Sequence, residues 1–79
     1  MLLEITPLYV RLQMGDKVVE IGAELLHPTP GRADFVLYSS SVEWMPPFDN
    51  LNIDEATKQT ILQMAQAELV KIGRVPKVV

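Results

Sequence analysis

From Leu8 to Met14 the chain alternates: Leu8, Val10, Leu12 and Met14 fall on one side, Tyr9, Arg11 and Gln13 on the other. A period of two marks a strand with one face buried. Gly15-Asp16 follows with glycine first, the order that a two-residue type II′ hairpin turn prefers. A turn on those residues opposes Leu12 to Val19 and Val10 to Ile21 on one face. On the other it opposes Arg11 to Glu20, an opposite-charge cross-strand pair contributing a few tenths of a kcal/mol. A slip of one residue would put Val19 and Ile21 in water and separate that pair, so the register is over-determined.

Around this hairpin the pattern is less regular. Leu2 to Ile5 is a short β-prone run cut off by Thr6-Pro7, which suits an edge segment or bend. Gly22 to Ala33 reads as a loop, broken at Pro28, Pro30 and Gly31, with at most one helical turn at Ala23–Leu26. Asp34 to Ser39 is apolar on both faces, as a central strand is. Phe35 and Leu37 would face the core, Val36 and Tyr38 the opposite side. Ser39-Ser40-Ser41 is expected to turn the chain. Val42 and Trp44 would then share one face of a short further strand, with Trp44 anchoring the core under the helix. Met45-Pro46-Pro47-Phe48 reads as a stiff extended connector, because each proline removes a donor and restricts its predecessor. A cis peptide is open at Met45-Pro46 or Pro46-Pro47.

One long helix follows. Asp54 is a good N-cap, Ile53 braces the first turn, and Glu55 sits at the positive end of the helix dipole. The helix should run to about Ile72 and stop at Gly73, with Lys71 in its last turn. Ile61, Leu62, Ala65, Leu69 and Ile72 form one stripe, with Met64 at its edge. Glu68 falls inside the stripe and must either curl to the rim or meet a strand residue. Gln59, Gln63, Gln66 and Val70 make an uncharged opposite face, for which glutamine's helix propensity is account enough. Val75 to Val79 is β-prone, and Pro76 confines it to an edge. The whole predicts an α+β fold in one domain, residues 1–79. A small antiparallel sheet, the N-terminal hairpin plus two or more strands, is covered on one face by a single long C-terminal helix.

Composition narrows the function more than the fold. At 79 residues, 48% apolar and 22% charged, the chain is globular and near the lower size limit for a single core. The absence of cysteine leaves no disulfide or thiol chemistry and suits a reducing compartment. Glu4, Pro7 and Arg11 interrupt any apolar leader, and nothing approaches the ~18 apolar residues of a membrane helix. A soluble, cytoplasmic protein that does not enter a membrane is expected. Between Gly15 and Glu55, eight acids stand against Lys17 and Arg32, so that segment is −6 where the whole chain is −3. Such a distribution repels phosphate backbones and steers a basic partner.

Catalytic patterns are missing. One histidine and no cysteine cannot supply a usual zinc set, and Gly15, Gly22, Gly31 and Gly73 are too scattered for a phosphate loop. Asp54-Glu55 is the only adjacent carboxylate pair, and helix capping accounts for it. His27 has no Ser or Cys nucleophile at a recognisable spacing, and no basic stripe with interleaved aromatics points to nucleic acid. Neither enzyme, cofactor, metal nor nucleic acid is expected. A module that binds another macromolecule remains.

The order of features resembles a family of small bacterial immunity proteins, the one numbered 74 among polymorphic-toxin immunity families. The resemblance rests on the hairpin opening, the strand Asp34-Phe35-Val36-Leu37-Tyr38, and a serine-containing turn. Trp44-Met45-Pro46-Pro47 and the helix opening Ile53-Asp54-Glu55-Ala56-Thr57-Lys58 complete it. It covers Leu3 to about Ile72, and order and spacing carry it. The family pattern favours a more acidic first helical turn than Ala56 and Thr57 provide. The resemblance implies a cytoplasmic protector that binds and blocks one cognate toxin C-terminal domain, as in contact-dependent growth inhibition. Many such toxins are nucleases with basic clefts, which an acidic protein can cover.

Charge and exposure then select Glu24, Asp34, Glu43 and Asp49 as acidic contributors, with Tyr38 and Phe48 as aromatic anchors. The plainer account of each acid is a solvated surface charge. Two other classes stand beside this one. One is a structural or regulatory module forming a homo-oligomer through an edge strand such as Val75–Val79. The other is a small enzyme using His27 with a carboxylate or with Ser39–Ser41.

Overall fold

A computed structural model describes residues Met1–Val79. The strands are β1 (Leu2–Ile5), β2 (Tyr9–Met14), β3 (Lys17–Leu25), β4 (Phe35–Trp44) and β5 (Pro76–Val78), and α1 (Glu55–Lys71) lies between β4 and β5. They form one sheet in sequential order, β1-β2-β3-β4-β5. The first three pairings are antiparallel and the last, β4 with β5, is parallel. The parallel pair follows from connectivity, because α1 carries the chain back along the sheet before β5 begins. The fold is therefore α+β as expected, on a sheet that is mostly and not wholly antiparallel.

The hairpin register is the expected one: Val10 opposes Ile21, Arg11 opposes Glu20, and Leu12 opposes Val19. Gly15 has φ +64° and no other residue type in the chain has positive φ, which matches a type II′ turn with glycine first. Side chains facing one side of the sheet, Val10, Leu12, Val19, Ile21, Ala23, Phe35 and Leu37, meet Ile61, Leu62, Ala65 and Leu69 of α1 in a single cluster.

At the helix start, the Asp54 carboxylate accepts the Thr57 N–H at 2.7 Å. Thr57, through its side chain first and its backbone second, holds that carboxyl below its usual range. A carboxyl lowered in the folded state adds stability above its unfolded value of about 3.9, and that stability disappears as pH falls through the lower folded value. Asp54→Asn keeps a capping oxygen without the charge. Its melting temperature should therefore fall below the wild type's at neutral pH and converge with it in strong acid. At the other end Gly73 N–H donates to the Val70 carbonyl at 3.0 Å and Arg74 N–H to the Leu69 carbonyl at 2.9 Å. This is the paired-bond glycine stop. Because the helix unwinds there, Ile72 is 52% exposed and does not join the apolar stripe expected to include it. Glu68 takes the rim position and pairs with Lys71 at 3.7 Å.

Three local expectations are corrected. Gly22 to Leu25 is strand, not loop, because Ala23, Glu24 and Leu25 pair with Leu37, Val36 and Phe35. Pairing context outweighs the low strand propensity of Gly, Ala and Glu. Ser39-Ser40-Ser41 does not turn the chain, since β4 continues to Trp44. Between the pairs Ile21–Val42 and Ala23–Leu37 only Gly22 lies on β3, while Tyr38 and the three serines lie on β4. The serines thus form a wide bulge, held where Ser39 donates both N–H (2.9 Å) and Oγ (2.8 Å) to the Val79 carbonyl. Met45–Phe48 is a tight turn and not an extended connector: Phe48 N–H donates to the Met45 carbonyl at 3.0 Å, and the Pro46-Pro47 peptide is cis. Trp44 is half-buried and packs against the margin of the core.

Candidate functional site

With α1 closing one face of the sheet, no element of the chain covers the other. Strand alternation sends Glu4, Tyr9, Arg11, Glu20, Glu24, Tyr38 and Glu43 to that open face, and at its β5 margin Lys77 stands there too, opposite the buried Val36. Register lines four of them across the sheet, Glu4 opposite Arg11, Arg11 opposite Glu20, and Glu20 opposite Glu43.

Arg11 is the centre of this row. Its guanidinium lies 3.1 Å from Glu4 Oε1 and 3.4 Å from Glu20 Oε1, with its central carbon 4.4 Å from the Tyr9 ring centroid. The Tyr9 hydroxyl in turn donates to Glu4 Oε1 at 3.0 Å. Only Arg11 Nε, shielded from solvent, has no partner. Glu43 differs from its neighbours. It is exposed, no cation lies within ion-pair distance of it, and it directly opposes another carboxylate, an unfavourable arrangement.

Toward the far end of the same face, the Tyr38 hydroxyl donates to Glu24 Oε2 at 2.7 Å. For both tyrosines the hydrogen bond to a carboxylate is the main cause of a raised phenol pKa. Each hydroxyl is directed at its carboxylate, and that bond restrains the ring at the surface.

Of the six residues selected from the sequence, Glu24, Tyr38 and Glu43 share this face. Asp34 does not. Its side chain is 13% exposed, its Oδ1 accepts the Val75 N–H at 2.8 Å, and its Oδ2 is 3.8 Å from Arg74. That carboxylate fastens the start of β5 to the start of β4. Phe48 and Asp49 lie near the opposite end of the sheet, beside the β2–β3 turn. There Lys17 Nζ is 4.9 Å from the Phe48 centroid and 5.9 Å from the Trp44 ring, while Asp49 is exposed. Tyr9, Arg11, Glu4 and Glu20 were not among the six. The expected Arg11–Glu20 pair already lay on the outward side of the hairpin, and following it across the sheet would have found them.

Elsewhere the surface offers less. His27 is exposed in the 26–34 loop, and the Ser39 hydroxyl is engaged with Val79. Two open depressions exist. One of about 440 Å³ lies along Pro28–Arg32 with Asp34 and Val75. The other, about 740 Å³, runs between the C-terminal part of α1 and β5, past Val70, Arg74 and Pro76. No group of three or more His, Asp or Glu residues is placed to hold a metal ion, and no helix is long and apolar enough to cross a membrane. The β5 edge is three residues long and contains Pro76 and Lys77, both of which discourage strand addition.

The family model described as Immunity protein 74 matches residues 2–75. No curated protein and no solved structure matches the chain.

Proposed function

The chain belongs to the Immunity protein 74 family, and on that premise we propose that it binds a cognate bacterial toxin domain and neutralises it by covering a basic surface. The toxin would be the C-terminal domain of a polymorphic, contact-delivered toxin, with nuclease as its activity. The inhibitor acts in the cytoplasm, by binding and not by catalysis, with no cofactor and no membrane or nucleic-acid contact of its own. The observation that carries this reading is the family match over nearly the whole chain. The charge distribution supports it, because a cleft built for phosphate is complementary to a surface bearing acids. In this reading Glu24, Tyr38 and Glu43 contact the toxin from the open face and Phe48 and Asp49 from one end of it, while Asp34, its carboxylate engaged by Val75 and Arg74, serves the binding face by holding β5 beside β4.

Inhibition by occupancy lasts only as long as the complex does. Slow dissociation must therefore come from packed and desolvated contacts, while charge sets the association rate. Raising salt from about 50 to 500 mM shortens the Debye length from roughly 14 to 4 Å. The association rate should consequently fall steeply while the dissociation rate changes little, which stopped-flow mixing at several ionic strengths would measure. The decisive test is co-expression with the toxin domain encoded directly upstream. Rescue of growth together with co-purification is expected. A chain that neither rescues nor co-purifies would overturn the proposal.

A further inference from the structure

We infer that the open face of the sheet is the docking surface, and that it seats a lysine or arginine side chain of the partner protein between Glu20 and Glu43. This rests on the toxin-binding reading for its partner and adds the place and the chemistry of contact. Signs along the cross-strand row run acid, base, acid, acid, from Glu4 through Arg11 and Glu20 to Glu43. Arg11 lies on β2, two strands from Glu43, and its guanidinium is drawn to Glu4, Glu20 and the Tyr9 ring, so it does not serve Glu43. Neighbouring strands lie about 4.8 Å apart, which brings the Glu20 and Glu43 carboxylates within reach of one guanidinium or ammonium. A cation arriving there relieves a like-charge opposition, so the partner gains an attraction that the free protein lacks.

The surroundings suit a protein partner. Tyr9 and Tyr38 both lie on the Gly22 side of the row, with their hydroxyls already tied to Glu4 and Glu24, so their rings can be buried with little further loss of freedom. Tyrosine and arginine are also the residue types that concentrate binding energy at interfaces. The outer face of α1, by contrast, carries Gln59, Gln63 and Gln66 and no charge, and offers a basic partner no complement.

The test uses the full chain and the catalytically inactivated upstream toxin domain in titration calorimetry. Glu43→Lys should weaken binding about 100-fold or more and Glu43→Gln about 10-fold, whereas Gln63→Lys should stay within about threefold. Glu43→Lys supplies the missing base of the row, so its melting temperature should not fall below the wild type's. That separates lost binding from lost folding. Wild-type affinity surviving in Glu43→Lys, or an equal loss in Gln63→Lys, would overturn the inference while leaving the toxin-binding reading intact. No binding by the wild type would overturn that reading, and the inference with it.

Discussion

Leu37→Ala is expected to cost about 2–5 kcal/mol of folding stability. Leu37 is fully buried in the middle of the sheet, opposed by Ala23 on β3 and Val78 on β5. Its side chain enters the cluster shared with Ile61, Leu62, Ala65 and Leu69. Ala23 is too small to expand into a vacated space, and backbone bonds hold the position from both sides, including one from Val79 N–H to the Leu37 carbonyl at 3.0 Å. The cavity therefore stays open, which places the cost in the upper part of the range. The scale of the whole domain makes this decisive. At ~0.05–0.15 kcal/mol per residue, a chain of 79 residues has only about 4–12 kcal/mol in total. Urea unfolding should show the midpoint falling sharply with the slope unchanged, while Leu37→Met should lose less than about 1.5 kcal/mol. A loss below about 1 kcal/mol for Leu37→Ala would contradict the packing described. Saturating partner should restore about 2.7 kcal/mol at a hundredfold excess over Kd, so a crippled core would be rescued in the complex.

What could be read from the sequence was whatever local spacing determines. The Tyr9–Met14 alternation and Gly15-Asp16 set a register that the structure keeps pair for pair. Asp54 and Gly73 bound the helix within a residue of its limits, because capping chemistry is local. What could not be read depends on partners distant in the chain. Glycine, alanine and glutamate at 22–24 look like the start of a loop until Phe35–Leu37 lies beside them. Asp34 looks like a surface acid until Val75, 41 residues on, donates to it. The candidate face divides along the same line. Glu24, Tyr38 and Glu43 were selected by charge and exposure taken one residue at a time. The significance of Glu43 appears only when three strands align it with Glu20 and Arg11.

Gly22→Ala should destabilise the protein by about 1–3 kcal/mol, and Ser41→Gly should recover much of that loss in the double variant. A Cβ at Gly22 would lie 2.7 Å from the Ser41 Cβ and 3.2 Å from its Oγ, closer than carbon atoms approach without displacement. A serine Cβ is fixed to the backbone and cannot swing aside as a long side chain would. Either strand must therefore shift at the bulge. The consequence reaches the open face, because the bulge is where the β3–β4 register changes. On one side of it Glu43 is set opposite Glu20, and on the other Glu24 lies within 2.7 Å of the Tyr38 hydroxyl. Gly22→Ala should thus weaken partner binding as well as folding, whereas Leu37→Ala, measured where it is still folded, should not. A double-mutant cycle reports the coupling directly. If Gly22→Ala and Ser41→Gly add independently, the two positions are not in steric contact. A coupling above about 1 kcal/mol would establish that glycine stands at this position because the serine bulge presses against it.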